Sequence, residues 1–191
     1  GQEAVSVGVC EALNVEDIVF GTYRGHAMYL AKKGSLKKMI AELYGKATGC
    51  AKGKGGSMHL VDTAHGVMGT SAVVATTIPN AVGYAHALKY QKKNSIVVSF
   101  FGDGAVEEGV FWESINFATL KKLPVIFVCE NNQYAIHSRL SDRQANENIS
   151  EKVKVHGLPV KVIDGNDVFG LYHYTSEIVE QMRTGSSGPV F

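Results

Sequence analysis

Two short apolar runs in the middle of the chain, residues 95–101 (SIVVSFF) and 124–129 (PVIFVC), carry the clearest pattern. Both are rich in β-branched and aromatic side chains without polar alternation, as expected of strands buried on both faces. Gly102-Asp103-Gly104 breaks the first run and Asn131-Asn132 stops the second. Between them, residues 107–121 read as a helix with Val110, Phe111, Ile115, Phe117 and Ala118 on its apolar face. Glu107 and Glu108 fall in its first turn, where carboxylates complement the positive end of the dipole. The three elements make a βαβ unit, which predicts parallel strands and a right-handed crossover.

Weaker patterns flank this unit. Residues 2–13 predict a helix with Val5, Val9, Ala12 and Leu13 on one stripe, and residues 36–44 predict another. For the second, Ser35 suits the N-cap, Leu36, Met39, Ile40 and Leu43 recur at helical spacing, and Gly45 suits the stop. Residues 45–59 (GKATGCAKGKGGSMH) lack periodicity and read as a loop, a flexible surface or interface segment. A helix resumes after Pro79. Residues 160–163 suggest a strand, Asp167 caps a helix running to about Arg183, and residues 189–191 begin another strand. With no fixed repeat and no linker, the expectation is one α/β doubly wound domain, with a mostly parallel sheet, spanning residues 1–191.

Composition narrows the partners. The formal charge of +1 gives no broad basic field for nucleic acid or an anionic membrane. Residues 66–88 carry no formal charge, but Thr70, Ser71, Thr76, Thr77, Pro79 and Asn80 make them unsuited to a bilayer core. Three scattered cysteines without a CxxC pair read as free or buried thiols, neither a disulfide frame nor a zinc site. The chain opens at Gly1 without methionine, which suggests a missing or removed N-terminal piece.

Both breaks, GDG and ENN, fall at the carboxyl ends of neighbouring strands, where open parallel sheets bind ligands. Asp103 and Asn132 are therefore expected side by side, offering a carboxylate and an amide oxygen to a divalent cation, with a following main-chain carbonyl as a third ligand. Gly102 and Gly104 let the backbone approach a diphosphate, and the N–H groups of Gly104 and Ala105 would lie at a helix N-terminus. The lysine-rich loop fails as a P-loop, because only three residues separate Gly49 from Gly53 and Gly55 follows Lys54. No GxGxxG follows a first strand either.

The span GDGAVEEGVFWESINFATLKKLPVIFVCENN (102–132), with 26 residues between GDG and NN, resembles the thiamine diphosphate signature. GQEAVSVGVCEAL, FGTYRGHAMYLAKKG, YGKATGCAKGKGGSMH and ENNQYAI extend the resemblance to alpha subunits of the E1 components of pyruvate and acetoin dehydrogenases. It implies the thiamine-diphosphate-binding fold. It also implies a magnesium ion (Mg2+) held by Asp103, Asn132 and the main-chain oxygen of Tyr134. Gly102, Gly104 and Ala105 match the diphosphate cradle, and Tyr23 and Arg24 match residues at the diphosphate end. The backbone at Ala72 and Val74 matches the edge that meets the aminopyrimidine, and Ile136 matches the residue that keeps the cofactor bent.

The implied partners are a beta chain in an α2β2 assembly, a lipoyl-bearing E2 protein, and a small 2-oxo acid or acetoin. The implied setting is the bacterial cytoplasm or an organelle matrix. The CAKGKGGSMH loop leans toward pyruvate or acetoin over branched-chain substrates. Departures accompany the match. Ser71 and Thr76 fit a potassium site known in branched-chain relatives, but Thr77 replaces its glutamine. The region of Ala64 and His65 carries a small insertion. The family's substrate-facing histidines lie outside residues 1–191, and its pyrimidine-side glutamate belongs to the beta chain, so no catalytic residue is assigned. Those absences leave a second reading, a non-catalytic homologue acting as a scaffold. His26 reads as a packing histidine, and His59 and His65 as loop residues.

Overall fold

Four parallel strands form the centre of the computed structural model, which describes residues 1–191. They are β1 (Ile18–Thr22), β2 (Val67–Ser71), β3 (Val97–Gly102) and β4 (Val125–Glu130), in the spatial order β2-β1-β3-β4. The central pairing runs in register from Val97↔Val125 to Gly102↔Glu130. The sheet is thus α/β and parallel, as the βαβ pattern required.

Because side chains alternate across a strand, each strand feeds two cores. Ile18, Phe20, Val97, Phe101, Val125 and Phe127 pack on one face against α4 (Thr77–Tyr90) and α5 (Gly109–Lys121). Val19, Val98, Phe100 and Ile126 pack on the other against α1 (Glu3–Glu11), α2 (His26–Ala31), α3 (Leu36–Leu43) and α8 (Val168–Arg183). Two faces buried at once explain why residues 95–101 carry no polar alternation. Short helices α6 (Leu140–Arg143) and α7 (Ile149–Lys154) follow a hairpin of β5 (Tyr134–Ala135) and β6 (Ser138–Arg139). No helix is long and apolar enough to cross a membrane.

Several expectations need correction. The helix near Pro79 begins at Thr77, which puts Pro79 in the first turn, where its missing N–H costs nothing. Residues 103–107 form a 3-10 turn, and Glu108 is extended with ψ 132. The α-helix therefore starts only at Gly109, and Glu107 and Glu108 precede it. Phe117 is 39% exposed and stands off the core. Residues 160–163 are not a strand, although Lys161 N donates to Phe191 O and Phe191 N to Pro159 O. Residues 189–191 contribute a single parallel bridge, Val190 to Ile126. Ser35 does cap α3, accepting from Lys38 N, and Gly45 takes the left-handed φ of +65° just past its end.

Candidate functional site

The connection from β1 leads outward to β2, and the chain then crosses back to β3 through α4 on the opposite face. A crevice opens beyond the carboxyl ends of β1 and β3 at such a switch point. Here it is a cavity of about 320 Å³ lined from all four strand ends: Thr22, Tyr23 and Arg24 at the end of β1, residues 71–75 at the end of β2, Gly102, Gly104 and Ala105 at the end of β3, and Glu130 and Asn132 at the end of β4. Tyr134, Ala135 and Ile136 of the hairpin close one side, and Gln2 reaches in from the start of α1.

Every residue expected at the site lines this cavity except Asp103. Asp103 directly follows β3 and is buried, 1% exposed. Its Oδ2 lies 2.5 Å from Arg143 Nη2, while Arg143 Nη1 pairs with Glu107. Its Oδ1 is buried without a hydrogen-bond partner. Asn132 Oδ1 accepts from Tyr134 N at 3.0 Å, a local turn that turns the chain into the hairpin. No cluster of three or more His, Cys, Asp or Glu side chains stands together. The expected ligand set does not need one, since two of its three oxygens come from an amide and the main chain.

The expected glycine cradle is present in altered form. Gly104 and Ala105 lie in the 3-10 turn and not at the N-terminus of α5, so no long helix dipole points at them. A Cβ at Gly104 would sit 2.9 Å from Ala135 Cβ, so glycine here lets the β3 turn and the hairpin meet. Arg24 is exposed with its guanidinium 5.9 Å from the Tyr23 ring centre, and its N–H groups remain free for an anion. Two of the cavity's edges carry strained backbone. Ala75, next to Val74, has φ +64°, and Ile136, 82% exposed, has φ +56°. A β-branched residue in the left-handed region is uncommon and clusters at functional sites.

Three contributors were not singled out from sequence. Glu130, within the ENN motif, is pushed up to about 7 by burial, opposed by the hydrogen bond from Gln2 and the nearby Arg24 charge. Gln2 Nε2 donates to Glu130 Oε2 at 2.6 Å, tying α1 to the tip of β4. Arg143 is the third, and its position 40 residues from Asp103 gives no local signal. His26 contacts Ser57, with Nε2 2.9 Å from Oγ and 3.1 Å from the main-chain oxygen. Ser71 and Thr76 meet through their hydroxyls at 3.3 Å.

Parallel strand tips around one cavity, with a free arginine and a tight glycine turn, form the arrangement in which open α/β sheets seat phosphorylated ligands. The chain belongs to the dehydrogenase E1 component family, whose model matches residues 1–191. It is 40% identical over 189 residues to the alpha subunit of acetoin:2,6-dichlorophenolindophenol oxidoreductase from Bacillus subtilis (strain 168), covering 99% of this chain and 56% of that one. It is 41% identical over 196 residues to the pyruvate dehydrogenase E1 component subunit alpha of Porphyra purpurea (99% and 57% covered). With the corresponding Zymomonas mobilis subunit it shares 39% over 191 residues (100% and 54%). The chain spans about half the length of these relatives.

Proposed function

We propose that this chain is the cofactor-holding part of an E1 alpha subunit that binds thiamine diphosphate with Mg2+ and acts with a beta chain on pyruvate or acetoin. The convergence of all four strand ends on one cavity, lined by every expected residue but the buried Asp103, carries the reading. Residues 1–191 then serve as one cofactor-binding domain, in the cytoplasm or an organelle matrix, as in bacterial and chloroplast relatives.

The residues fit the cofactor. The unpartnered Asp103 Oδ1 is a buried acceptor suited to a hard cation, and magnesium takes only one or two protein groups beside phosphate oxygens. Asn132 Oδ1 and Tyr134 O complete the proposed set, with the asparagine adding no charge to repel a diphosphate. Arg24 and Tyr23 hold the diphosphate end, aided by the N–H groups of Gly104 and Ala105 and the open approach at Gly102. The main chain of Ala72 and Val74 would hold the pyrimidine, and Ile136 would supply an apolar contact to the cofactor. When bound, thiamine diphosphate supplies the carbon nucleophile that makes cleavage next to a carbonyl feasible. Position and charge neutralisation would come from the chain, and a lipoyl-bearing E2 protein would be the acceptor of the acyl product.

The test uses the full-length subunit co-produced with its beta chain. Reduction of an artificial electron acceptor is followed with pyruvate and with acetoin, with thiamine diphosphate and Mg2+ present or omitted. Turnover with one substrate that requires both additions is expected. Absence of turnover together with absence of cofactor binding would leave the scaffold reading.

A further inference from the structure

The loop at residues 45–59 is not the flexible segment that its composition suggested. Glu42 on α3 is fully buried, 0% exposed, and its carboxylate accepts four main-chain N–H groups from this loop. Oε2 receives Ala51 at 2.8 Å and Gly53 at 2.9 Å, and Oε1 receives Gly55 at 2.7 Å and Gly56 at 3.1 Å. The glycines follow from this wrapping. A Cβ on Gly49 would stand 2.3 Å from Glu42 Oε2, and one on Gly55 would stand 2.2 Å from His59 O.

Past these glycines, the loop is fastened to two edges of the cavity. Ser57 meets His26, two residues beyond Arg24, through the contacts given above. Thr70, two residues before Ala72, donates its hydroxyl to Met58 O at 2.8 Å and accepts Leu60 N at 2.7 Å. The two edges also touch directly, since a Cβ on Gly25 would lie 2.6 Å from Thr70 Cγ2. One buried carboxylate therefore shapes a loop that is hydrogen-bonded both to the segment bearing the diphosphate-end arginine and to the segment bearing the pyrimidine-facing backbone.

We propose that Glu42 is a positioning residue for cofactor binding, setting the separation of the Tyr23–Arg24 and Ala72–Val74 segments through residues 51–60. This rests on the thiamine diphosphate reading above. A carboxylate suits the role because all its lone pairs accept, whereas an amide of the same shape would turn an NH2 group toward two of the donors. Support one step removed from a bound group typically contributes about 10- to 100-fold in affinity, and Glu42, which acts through a loop, belongs at the lower end of that range.

The experiment compares full-length subunit with beta chain as wild type, Glu42→Gln, His26→Ala and the double variant. Thiamine diphosphate binding at saturating Mg2+ is measured by calorimetry and amide exchange is followed at residues 51–60. In Glu42→Gln, the cofactor Kd and apparent KM are expected to rise about tenfold, while kcat at saturating cofactor falls less than twofold. Faster exchange at residues 51–60 should accompany the change. His26→Ala, at a partly exposed side chain, keeps the test alive if Glu42→Gln does not fold; it should weaken binding several-fold at unchanged melting temperature. In the double variant the two losses should not add, because both act through one loop. Wild-type binding with unaltered Kd in folded Glu42→Gln or in His26→Ala would overturn the positioning role alone. Absence of binding in wild type would remove the cofactor reading and this proposal with it.

Discussion

Arg143 neutralises Asp103: Nη2 lies 2.5 Å from the carboxylate Oδ2, and the guanidinium side chain is 12% exposed. A fixed positive charge therefore stands beside the carboxylate proposed to ligate magnesium. Breaking a buried pair by removing one partner leaves an uncompensated charge, at a cost of about 3–5 kcal/mol. Arg143→Gln should lower the melting temperature of the ligand-free protein, and Mg2+ with thiamine diphosphate should restore more stability to the variant than to wild type. Thermal unfolding with and without the two additions measures this. Equal ligand-induced shifts in both proteins would show that Arg143 and the cation do not share Asp103.

Ile136 holds a left-handed φ of +56° at the hairpin tip with its side chain 82% exposed. Burial does not repay that strain. Ile136→Gly should stabilise the free protein by about 1 kcal/mol or less, because glycine relieves the left-handed strain but is freer in the unfolded chain. The same change should weaken thiamine diphosphate binding by removing the apolar contact. Denaturant unfolding and cofactor titration on one preparation read both effects, and a variant both weaker in stability and unchanged in affinity would contradict the role.

The carboxyl of Glu42 is held below the usual carboxylate range: burial pushes it up, but the N–H groups of Gly53, Ala51, Gly55 and Gly56 outweigh that effect. A depressed folded value means stability that is present above the unfolded pKa and lost as pH falls through the folded one. Cleavage by an acid-active protease within residues 51–56 should therefore accelerate only below the ordinary carboxylate range. In Glu42→Gln, that loop should already be cleaved quickly by the same protease at the upper end of its pH range, relative to wild type, and show little further change on acidification. A loop equally resistant at all acidic pH values would contradict the assignment.

The βαβ centre was legible because β3 and the first half of β4 are buried on both faces and are apolar there at every position but Ser99. β1 and β2 were not. Ile18–Thr22 is short and follows a polar stretch, and Val67–Ser71 ends in Gly, Thr and Ser, with Thr70 bonded to the preceding loop and Ser71 opening to the cavity. Asp103, Asn132 and Arg24 could be named because each falls within a short motif at a strand end, although Asp103 proves to be buried beneath the cavity's lining. Glu42 could not, since its partners are main-chain N–H groups, which no residue letter records. Its neighbours Leu36, Ile40 and Leu43, which set the helical stripe, are instead exposed at 56%, 44% and 39%. Arg143 lies on a helix of four residues and finds Asp103 only once the hairpin has folded back.

The most direct test of a magnesium-bound diphosphate at these strand tips is calorimetric titration of thiamine diphosphate with Mg2+ into the subunit assembled with its beta chain, wild type against Asp103→Ala. Wild type should bind in a magnesium-dependent way. The variant, in which Arg143 keeps its pairing with Glu107, should remain folded by circular dichroism, though less stable, yet lose at least about tenfold in affinity, the lower bound set by loss of a metal's outer support. Equal, magnesium-independent binding by both proteins would contradict the site.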